Sequence, residues 1–298
     1  MNLDELGPHF LGIGAQRSGS SWLYRNLAAC PEIWLPPVKE LHYFDELRQR
    51  PIFNDRYRKQ RGKVLSRYRG ALKHRDLSGL TPLWDAHFLL RIPNDRWYRR
   101  VFSPGRGRIC GEITPAYAVL DEAAVAQIHR LLPDTKILFL MRDPVDRAWS
   151  QARKDLPRVF GQPIDKIARE DVLAWFGGPW CRLRSDYVRT LGIWRKVYGA
   201  ETVFVDYFES IKSEPEALLR RVLDFLGVKD IAGVHSDAAH EVVNRGREAP
   251  MPAEYRRHAA QLFLPMLERL ASEMGGLAEQ WRARNENIAA GKQPDAVC

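Results

Sequence analysis

The sequence has no long hydrophobic run and few cysteines. No stretch approaches the roughly 18 consecutive apolar residues that a membrane-spanning helix needs. The start, from Met1 to Pro8, lacks the basic and apolar regions of a signal peptide. Four cysteines lie far apart without a C-x-x-C pair, which argues against a zinc site and against a dense disulfide framework. These absences predict a soluble chain in a reducing cytoplasm.

The positive net charge comes from one block of the sequence, in which acidic residues are scarce. The chain of 298 residues carries 46 Lys and Arg against 37 Asp and Glu, a net charge of +9. Between Glu46 and Ile109 there are 17 basic and 5 acidic residues, so the rest of the chain is slightly acidic. A basic block of this kind is typical either of a surface that binds polyanions or nucleic acid, or of a solvated arginine-rich face. The sequence leaves both open.

Composition and periodicity predict the fold class. Hydrophobic residues make up 45% of the chain and charged residues 28%, which excludes disordered and fibrous proteins. Strands are predicted near 10–13, 109–113, 136–141 and 202–205. Helical segments alternate with them, and the apolar run at 136–141 is typical of a strand buried on both faces. We therefore predict an α/β fold, a central parallel sheet flanked by helices on both faces.

The chain is predicted to form a single domain over residues 1–285. The Arg-rich stretch around 46–108 is interpreted as an insertion of loops and short helices, and the tail 286–298 is expected to fray. Ser213 and Glu216 form a capping-box pattern that predicts the start of a helix, which Gly227 closes.

A glycine-rich turn follows the first predicted strand. Gly14 and Gly19 have the spacing of a P-loop, but Ser20 and Ser21 follow Gly19, so the lysine of that motif is missing. Arg17 supplies a cation instead. A strand that leads through such a turn into a helix directs backbone N–H groups and a helix dipole at one point, which predicts an anion site.

Three segments together resemble sulfotransferases that use 3′-phosphoadenosine 5′-phosphosulfate (PAPS). Residues 16–22 resemble the loop that binds the 5′-phosphosulfate, with Arg17 where lysine is usual. Arg142 and Ser150, eight positions apart, resemble the segment that binds the 3′-phosphate, and residues 244–247 resemble the late basic loop that closes over the nucleotide. The resemblance implies a P-loop-like sulfotransferase fold, PAPS as donor and 3′-phosphoadenosine 5′-phosphate as product; sulfuryl transfer itself requires no metal. It implies these cofactor-binding residues: Arg17, Ser18, Gly19, Ser20, Ser21, Trp22, Arg142, Ser150, Arg245, Gly246 and Arg247.

A candidate catalytic cluster lies in residues 39–45, which read K-E-L-H-Y-F-D. They resemble the K-E-x-H-F-F-D motif of the heparan-sulfate type of sulfotransferase. The resemblance implies in-line transfer, with Glu40 as the general base, His42 assisting it and Asp45 orienting the imidazole. Arg17 would then stabilise the leaving phosphate.

Residues 112–117 resemble the E-K-[ST]-P-x-Y segment of the same branch, which lines the acceptor cleft. Ile113 replaces the lysine, so the expected acceptor is not heparan sulfate itself. A hydroxyl or amine of a carbohydrate or another small metabolite is expected, with an anionic acceptor as one option. The chain looks like a bacterial soluble member of the branch. A P-loop kinase or NTPase, in which Asp143 would hold Mg²⁺, and a polyanion-binding or nucleic-acid-binding protein are the alternatives.

Overall fold

The computed structural model describes residues 6–47, 55–77, 80–229 and 250–292. Within them one sheet of five parallel strands has the order β2-β3-β1-β4-β5. The strands are β1 (Phe10–Gly14), β2 (Ile33–Trp34), β3 (Ile109–Ile113), β4 (Lys136–Met141) and β5 (Val203–Tyr207). Four of them lie where the sequence predicted strands. The two-residue β2 was not predicted, because so short a strand shows no periodicity.

Helices occupy most of the remaining described chain. They are α1 (Ser20–Ala29), α2 (Asp55–His74), α3 (Pro82–Leu90), α4 (Asp95–Val101), α5 (Glu122–Leu131), α6 (Pro144–Phe160), α7 (Arg169–Gly177), α8 (Pro179–Ser185), α9 (Tyr187–Tyr198), α10 (Ser210–Ser213), α11 (Pro215–Leu226), α12 (Ala253–Met274) and α13 (Gly276–Ala289). None of the described helices is both long enough and apolar enough to cross a bilayer.

The sheet is covered on both faces, as the sequence predicted. Successive side chains of a strand point to opposite faces, and in β4 Ile137 and Phe139 belong to one buried cluster while Leu138 and Leu140 belong to another. All four side chains are almost fully buried. The continuous apolar run that predicted this strand is therefore explained by helices on both sides of it.

The Arg-rich stretch between β2 and β3 contains α2, α3 and α4. α2 is 20 residues long, longer than the short helices predicted there. Trp84 and Trp97 of this stretch are buried, and the ring of Trp84 stacks on that of Phe88 at 4.8 Å.

At the other end of the chain, where fraying was expected from residue 286, α13 continues to Ala289.

The capping box predicted at Ser213 is wrong. Ser213 is the last residue of α10, and its hydroxyl donates to the carbonyl oxygen of Glu209 at 3.2 Å. Glu214 occupies the N-cap of α11 without a side-chain capping bond, and Pro215 begins the helix. Gly227, in the left-handed conformation at φ 84°, closes it as predicted.

The order of the strands fixes where a site can form. β1 lies between β3 and β4: the chain passes from β1 to the edge strand β2, returns to β3 beside β1, and then crosses to β4 and β5 on the other side of β1. In open parallel sheets, ligands bind beyond the carboxyl ends of the strands at such a switch point. The loops that follow β1, β3, β4 and β5 all lie at this edge.

Candidate active site

The glycine loop joins β1 to α1 at the carboxyl edge of the sheet. Gly19 is the N-cap of the ten-residue α1 and has φ 90°, a conformation that favours glycine. A Cβ atom at this position would lie 2.1 Å from Cδ1 of Ile211. Since the first N–H groups of a helix have no partner within the helix, the start of α1 presents donors and a positive dipole end to the loop. The loop therefore has the form of an anion site.

Two segments that were identified separately in the sequence, the glycine loop and the segment from Arg142 to Ser150, are in contact. Arg17 Nε donates to Ser150 Oγ on α6 at 3.0 Å. Arg142, directly after β4, donates from Nη1 to the carbonyl oxygen of Arg17 at 3.2 Å. Its guanidinium also lies 4.5 Å from the centre of the Phe208 ring. The predicted 5′ and 3′ segments thus form one cluster.

Positive charge is concentrated in this cluster. Burial lowers the pKa of Arg17, and the nearby charges of Arg142 and Arg153 lower it further. Burial also lowers the pKa of Arg142. Partly buried guanidinium groups that repel one another are stabilised when an anion lies between them. The donor set therefore suits a sulfate or phosphate group.

Lys39 links the loop to the candidate base. Its Nζ donates to Ser20 Oγ and to Ser21 Oγ, each at 3.2 Å. The same ammonium lies 3.2 Å from Oε1 of Glu40. One cation thus joins the start of α1 to the carboxylate.

The imidazole of His42 lies between two carboxylates. Nδ1 is 2.8 Å from Oδ2 of Asp45, and Nε2 is 3.5 Å from Oε2 of Glu40. Asp45 belongs to a single π-helical turn, Tyr43–Leu47, that directly follows His42. The structure therefore brings Glu40, His42 and Asp45 together, with the imidazole between the two carboxylates.

The pKa of Glu40 is lowered by its neighbours. Burial opposes its charge, but the hydrogen bond to His42 and the charge of Lys39 outweigh burial and hold its pKa well below its ordinary value. Its side chain is 37% exposed, whereas that of His42 is 8% exposed. An ionised carboxylate with access from outside can accept a proton.

Backbone strain is concentrated at the same residues. Four non-glycine residues in the described part of the chain have φ in the left-handed region. Three of them are Arg17 at 70°, Glu40 at 65° and His42 at 55°, and the fourth is Arg75. Such conformations cost energy and persist where surrounding contacts impose them, typically at functional sites.

The other predicted cofactor residues have different surroundings. Ser18 is fully buried within the loop. The side chain of Trp22 is buried in the core beside Leu23 and Leu27, where it holds α1 against the sheet. Arg245, Gly246 and Arg247 lie outside the described residues, so their role stays a prediction.

Comparison with known proteins identifies the family. A family model described as "Sulfotransferase family" matches residues 8–231, more than half of the chain. The chain belongs to the sulfotransferase family. The matched range includes the glycine loop, residues 39–45, which we name the candidate catalytic segment, and all of α6.

Individual relatives of this sulfotransferase agree with that assignment. Heparan sulfate glucosamine 3-O-sulfotransferase 6 of Mus musculus is 32% identical over 138 residues, 45% of this chain and 40% of the relative. Heparan sulfate glucosamine 3-O-sulfotransferase 3B1 of Mus musculus is 32% identical over 139 residues, 45% of this chain and 35% of the relative. The matches thus span less than half of these relatives. A solved sulfotransferase from Alicyclobacillus acidocaldarius is 26% identical with a TM-score of 0.63, covering 92% of this chain and 98% of that one.

A buried network behind the site was not predicted. Glu112 is 2% exposed and accepts hydrogen bonds from Tyr98 Oη at 2.6 Å, Thr114 Oγ1 at 2.7 Å and Tyr117 Oη at 3.0 Å. Burial raises the pKa of Glu112. In the segment 112–117, which is expected to line the acceptor cleft, the side chains of Glu112, Thr114 and Tyr117 are buried.

This network holds the candidate catalytic segment in place. Tyr117 Oη accepts the backbone N–H of Tyr43 at 3.0 Å, directly after His42. The ring of Tyr43 stacks on that of Tyr98 at 4.6 Å. The sequence does contain two tyrosines and a glutamate close to one predicted strand. Their spacing along the chain could not show that these side chains are in contact.

Proposed function

We propose that this sulfotransferase transfers the sulfuryl group of PAPS to a hydroxyl or amine of an acceptor, with Glu40 as general base and without a metal. The observation that carries the proposal is the position of Lys39. Because its ammonium lies 3.2 Å from both loop serines and from Glu40, the anion site and the base are separated by a single side chain. Transfer requires that the anion site and the base lie side by side, since the acceptor must contact the sulfuryl group of the donor and the base at the same time.

The residues of the loop fit the donor. When bound, PAPS supplies the sulfuryl group and a phosphate leaving group. The N–H groups at the start of α1 and the cations of Arg17 and Lys39 would hold its 5′ end, and Arg142 would bind the 3′-phosphate. Ser150 fixes the guanidinium of Arg17 through the bond to Nε. Arg17 would then neutralise charge that develops on the leaving oxygen.

Glu40 would take the proton of the acceptor. Lys39 binds Oε1 and His42 faces Oε2, so the carboxylate is held from both sides. Asp45 binds the other nitrogen of the imidazole and thereby fixes the ring. His42 and Asp45 act in this scheme by positioning the base.

The acceptor differs from that of the curated relatives. Those proteins are named for heparan sulfate glucosamine, and the lysine of the E-K-[ST]-P-x-Y motif is absent here, where Ile113 stands. Ile113 is almost fully buried and packs in the core beside Phe10, so it contributes no polar contact. A hydroxyl or amine of another small metabolite or carbohydrate is proposed. The bacterial and cytoplasmic assignments stay predictions of the sequence.

A P-loop kinase or NTPase is supported less well. It requires a lysine after Gly19 and an acidic residue free to hold Mg²⁺. Oδ1 of Asp143 instead accepts the backbone N–H of Val145 at 2.8 Å, and Oδ2 accepts from Asn285 Nδ2 at 2.7 Å. Asp143 thus serves as the N-cap of α6.

Metal dependence needs a direct measurement. Potential ligand atoms of His42, Asp45 and Glu46 lie within 4.8 Å of one another, a spacing that a cation could bridge. We propose catalysis without a metal because side chains and backbone N–H groups can supply the base, the cation for the leaving group and the donors that sulfuryl transfer needs. Transfer that is unchanged by EDTA supports this part of the proposal, and transfer that EDTA abolishes contradicts it.

The test of the function has two stages. Thermal unfolding with PAPS, with 3′-phosphoadenosine 5′-phosphate and with ATP and Mg²⁺ measures which nucleotide stabilises the fold. We expect the first two to raise the Tm and ATP to leave it unchanged. Incubation with ³⁵S-PAPS and fractionated small molecules of the source cell then detects a labelled product. Stabilisation by ATP and Mg²⁺ alone would overturn the assignment.

A further inference from the structure

Exposed aliphatic side chains are concentrated in one region. Nine large hydrophobic side chains of the described residues are exposed, and six of them lie between residues 65 and 92. These six are Leu65, Leu72, Leu77, Leu83, Leu90 and Ile92, with exposed fractions from 51% to 91%. Single exposed leucines are ordinary, but a local excess of this size marks an interaction surface. We name the exposed side chains from 59 to 96 the α2–α3 surface.

The leucines lie on regular stripes of the helices. Leu65 and Leu72 are seven positions apart on α2, with Arg69 between them, so all three share one side of the helix. Leu83 and Leu90 have the same separation on α3. Both helices already bury another side, through Val64 in α2 and through Trp84 and Phe88 in α3. The leucine stripes are therefore exposed sides of the helices, separate from the sides that pack in the core.

The two helices are fixed to each other by polar contacts. The guanidinium of Arg67 on α2 bonds to Oδ1 of Asp85 on α3. Tyr68 Oη donates to Oδ2 of the same carboxylate at 3.0 Å. Asp85 is 2% exposed. These bonds hold α2 and α3 together, and the side chains of Leu65 and Leu72 remain exposed.

The α2–α3 surface is also strongly cationic. Among its described residues eight basic side chains are exposed, against a single exposed carboxylate, Asp76. The basic residues are Lys59, Arg61, Lys63, Arg69, Lys73, Arg75, Arg91 and Arg96. A second copy of the chain would bring like charges together, which opposes self-association through this face.

The combination of positive charge and exposed aliphatic side chains indicates which kind of partner the surface binds. Nucleic acid is bound by cations and by aromatic rings that stack on bases, and exposed leucines contribute nothing to that contact. A lipid surface uses both features, because leucines enter the boundary between headgroups and acyl chains while Lys and Arg attract anionic headgroups. We propose that the α2–α3 surface docks on the surface of an anionic phospholipid bilayer.

Docking would place the active site at the lipid surface. Nζ of Lys63 donates to the carbonyl oxygen of Lys39 at 3.2 Å, so α2 is bonded directly to the catalytic segment. Tyr98 of α4 stacks on Tyr43 in the same segment. α2 is therefore anchored beside Glu40, so docking through its leucine stripe would bring the candidate base close to a bilayer that holds an acceptor.

Co-sedimentation with vesicles tests the proposal on the full chain without any acceptor. We expect the chain to bind vesicles of phosphatidylcholine with about 30% phosphatidylglycerol, to ignore vesicles of phosphatidylcholine alone, and to bind less as salt rises. The variant Leu65→Ser/Leu72→Ser and the variant Arg69→Glu/Lys73→Glu should each lower the partition coefficient by about tenfold or more.

Matched controls come from exposed positions elsewhere. Val159→Ser removes an aliphatic side chain that is 75% exposed, and Lys166→Glu reverses an exposed charge outside the surface. Both controls should bind the anionic vesicles as the unaltered chain does. All four variants change exposed positions, so thermal unfolding should show the same Tm in each.

Three results would overturn the proposal. The first is failure of the unaltered chain to bind the anionic vesicles at low salt. The second is binding that the charge variant loses and the leucine variant keeps, with RNA as an effective competitor, which would make the surface a polyanion site. The third is a dimer in sedimentation equilibrium that Leu65→Ser/Leu72→Ser dissociates, which would make the surface a self-interface.

Discussion

The guanidinium of Arg17 donates a hydrogen bond to the hydroxyl of Ser150 at 3.0 Å, across 133 positions of sequence. The carbonyl oxygen of the same Arg17 accepts a bond from Arg142 at 3.2 Å. Because Ser150 lies on α6 and Arg142 at the end of β4, the loop after β1 is fixed by the neighbouring strand and its helix. The anion site thus depends on the sheet as a whole.

Ser150→Ala should weaken binding of 3′-phosphoadenosine 5′-phosphate. The substitution leaves Arg17 Nε without its partner, and a bond to a charged group contributes about 1.5–3 kcal/mol. Titration calorimetry measures the loss as a rise in Kd. Arg158→Ala, an exposed position further along the same helix, is the matched control. An unchanged Kd for Ser150→Ala would show that the bond does not support the donor site.

Glu40→Gln should abolish transfer while it preserves binding of the donor. The amide keeps the size of the side chain but cannot accept the acceptor's proton, and loss of a general base typically costs about 10²–10⁴ in rate. The readouts are ³⁵S transfer and the Kd for PAPS, with Glu170→Gln at an exposed position as control. Undiminished transfer by Glu40→Gln would exclude Glu40 as the base.

The acid limit of activity should depend on Lys39. In the unaltered chain the pKa of Glu40 is depressed by His42 and Lys39 despite burial, so the carboxylate stays ionised until the pH is well below its ordinary pKa. Lys39→Met removes one of the two depressing groups, and the pKa of Glu40 should rise. The acid limb of the kcat profile should therefore move to higher pH. An acid limb at the same pH in both proteins would contradict the role of Lys39.

Gly19→Ala should destabilise the fold and the loop together. Its φ of 90° is strained for alanine, and the new Cβ would lie 2.1 Å from Ile211. We expect a loss of about 1–3 kcal/mol in the free energy of unfolding. Gly70→Ala in α2 is the control, because no atom lies within 4 Å of a Cβ there and alanine favours a helix. Equal effects of the two substitutions in urea unfolding would contradict the argument.

Local pattern predicted the sheet and picked out candidate site residues, whose roles stay predictions, but it did not show the contacts between distant ones. The apolar run of β4 could be recognised because helices cover both of its faces. Arg17 and Glu40 could be recognised from short motifs. The bridge formed by Lys39 could not, because it joins Lys39 to serines 18 and 19 positions earlier, and sequence spacing does not show that contact. The capping box failed at Ser213 because the preceding short helix already includes that residue.

Tyr117→Phe should lower activity through the position of the catalytic segment. The hydroxyl accepts the N–H of Tyr43 and donates to Glu112, both in the interior. Its removal leaves a buried donor unpaired, which costs about 1–3 kcal/mol in the free energy of unfolding. Because Tyr43 directly follows His42, kcat should fall while the Kd for PAPS stays unchanged.

Tyr198→Phe provides the comparison that separates position from stability. Its hydroxyl is also buried and donates to the carbonyl oxygen of Leu132 at 3.2 Å, far along the chain from the catalytic segment. A similar loss of stability with full kcat is expected for Tyr198→Phe. If both variants lose kcat in proportion to stability, the network of Glu112 and Tyr117 supports the fold alone and does not position the base.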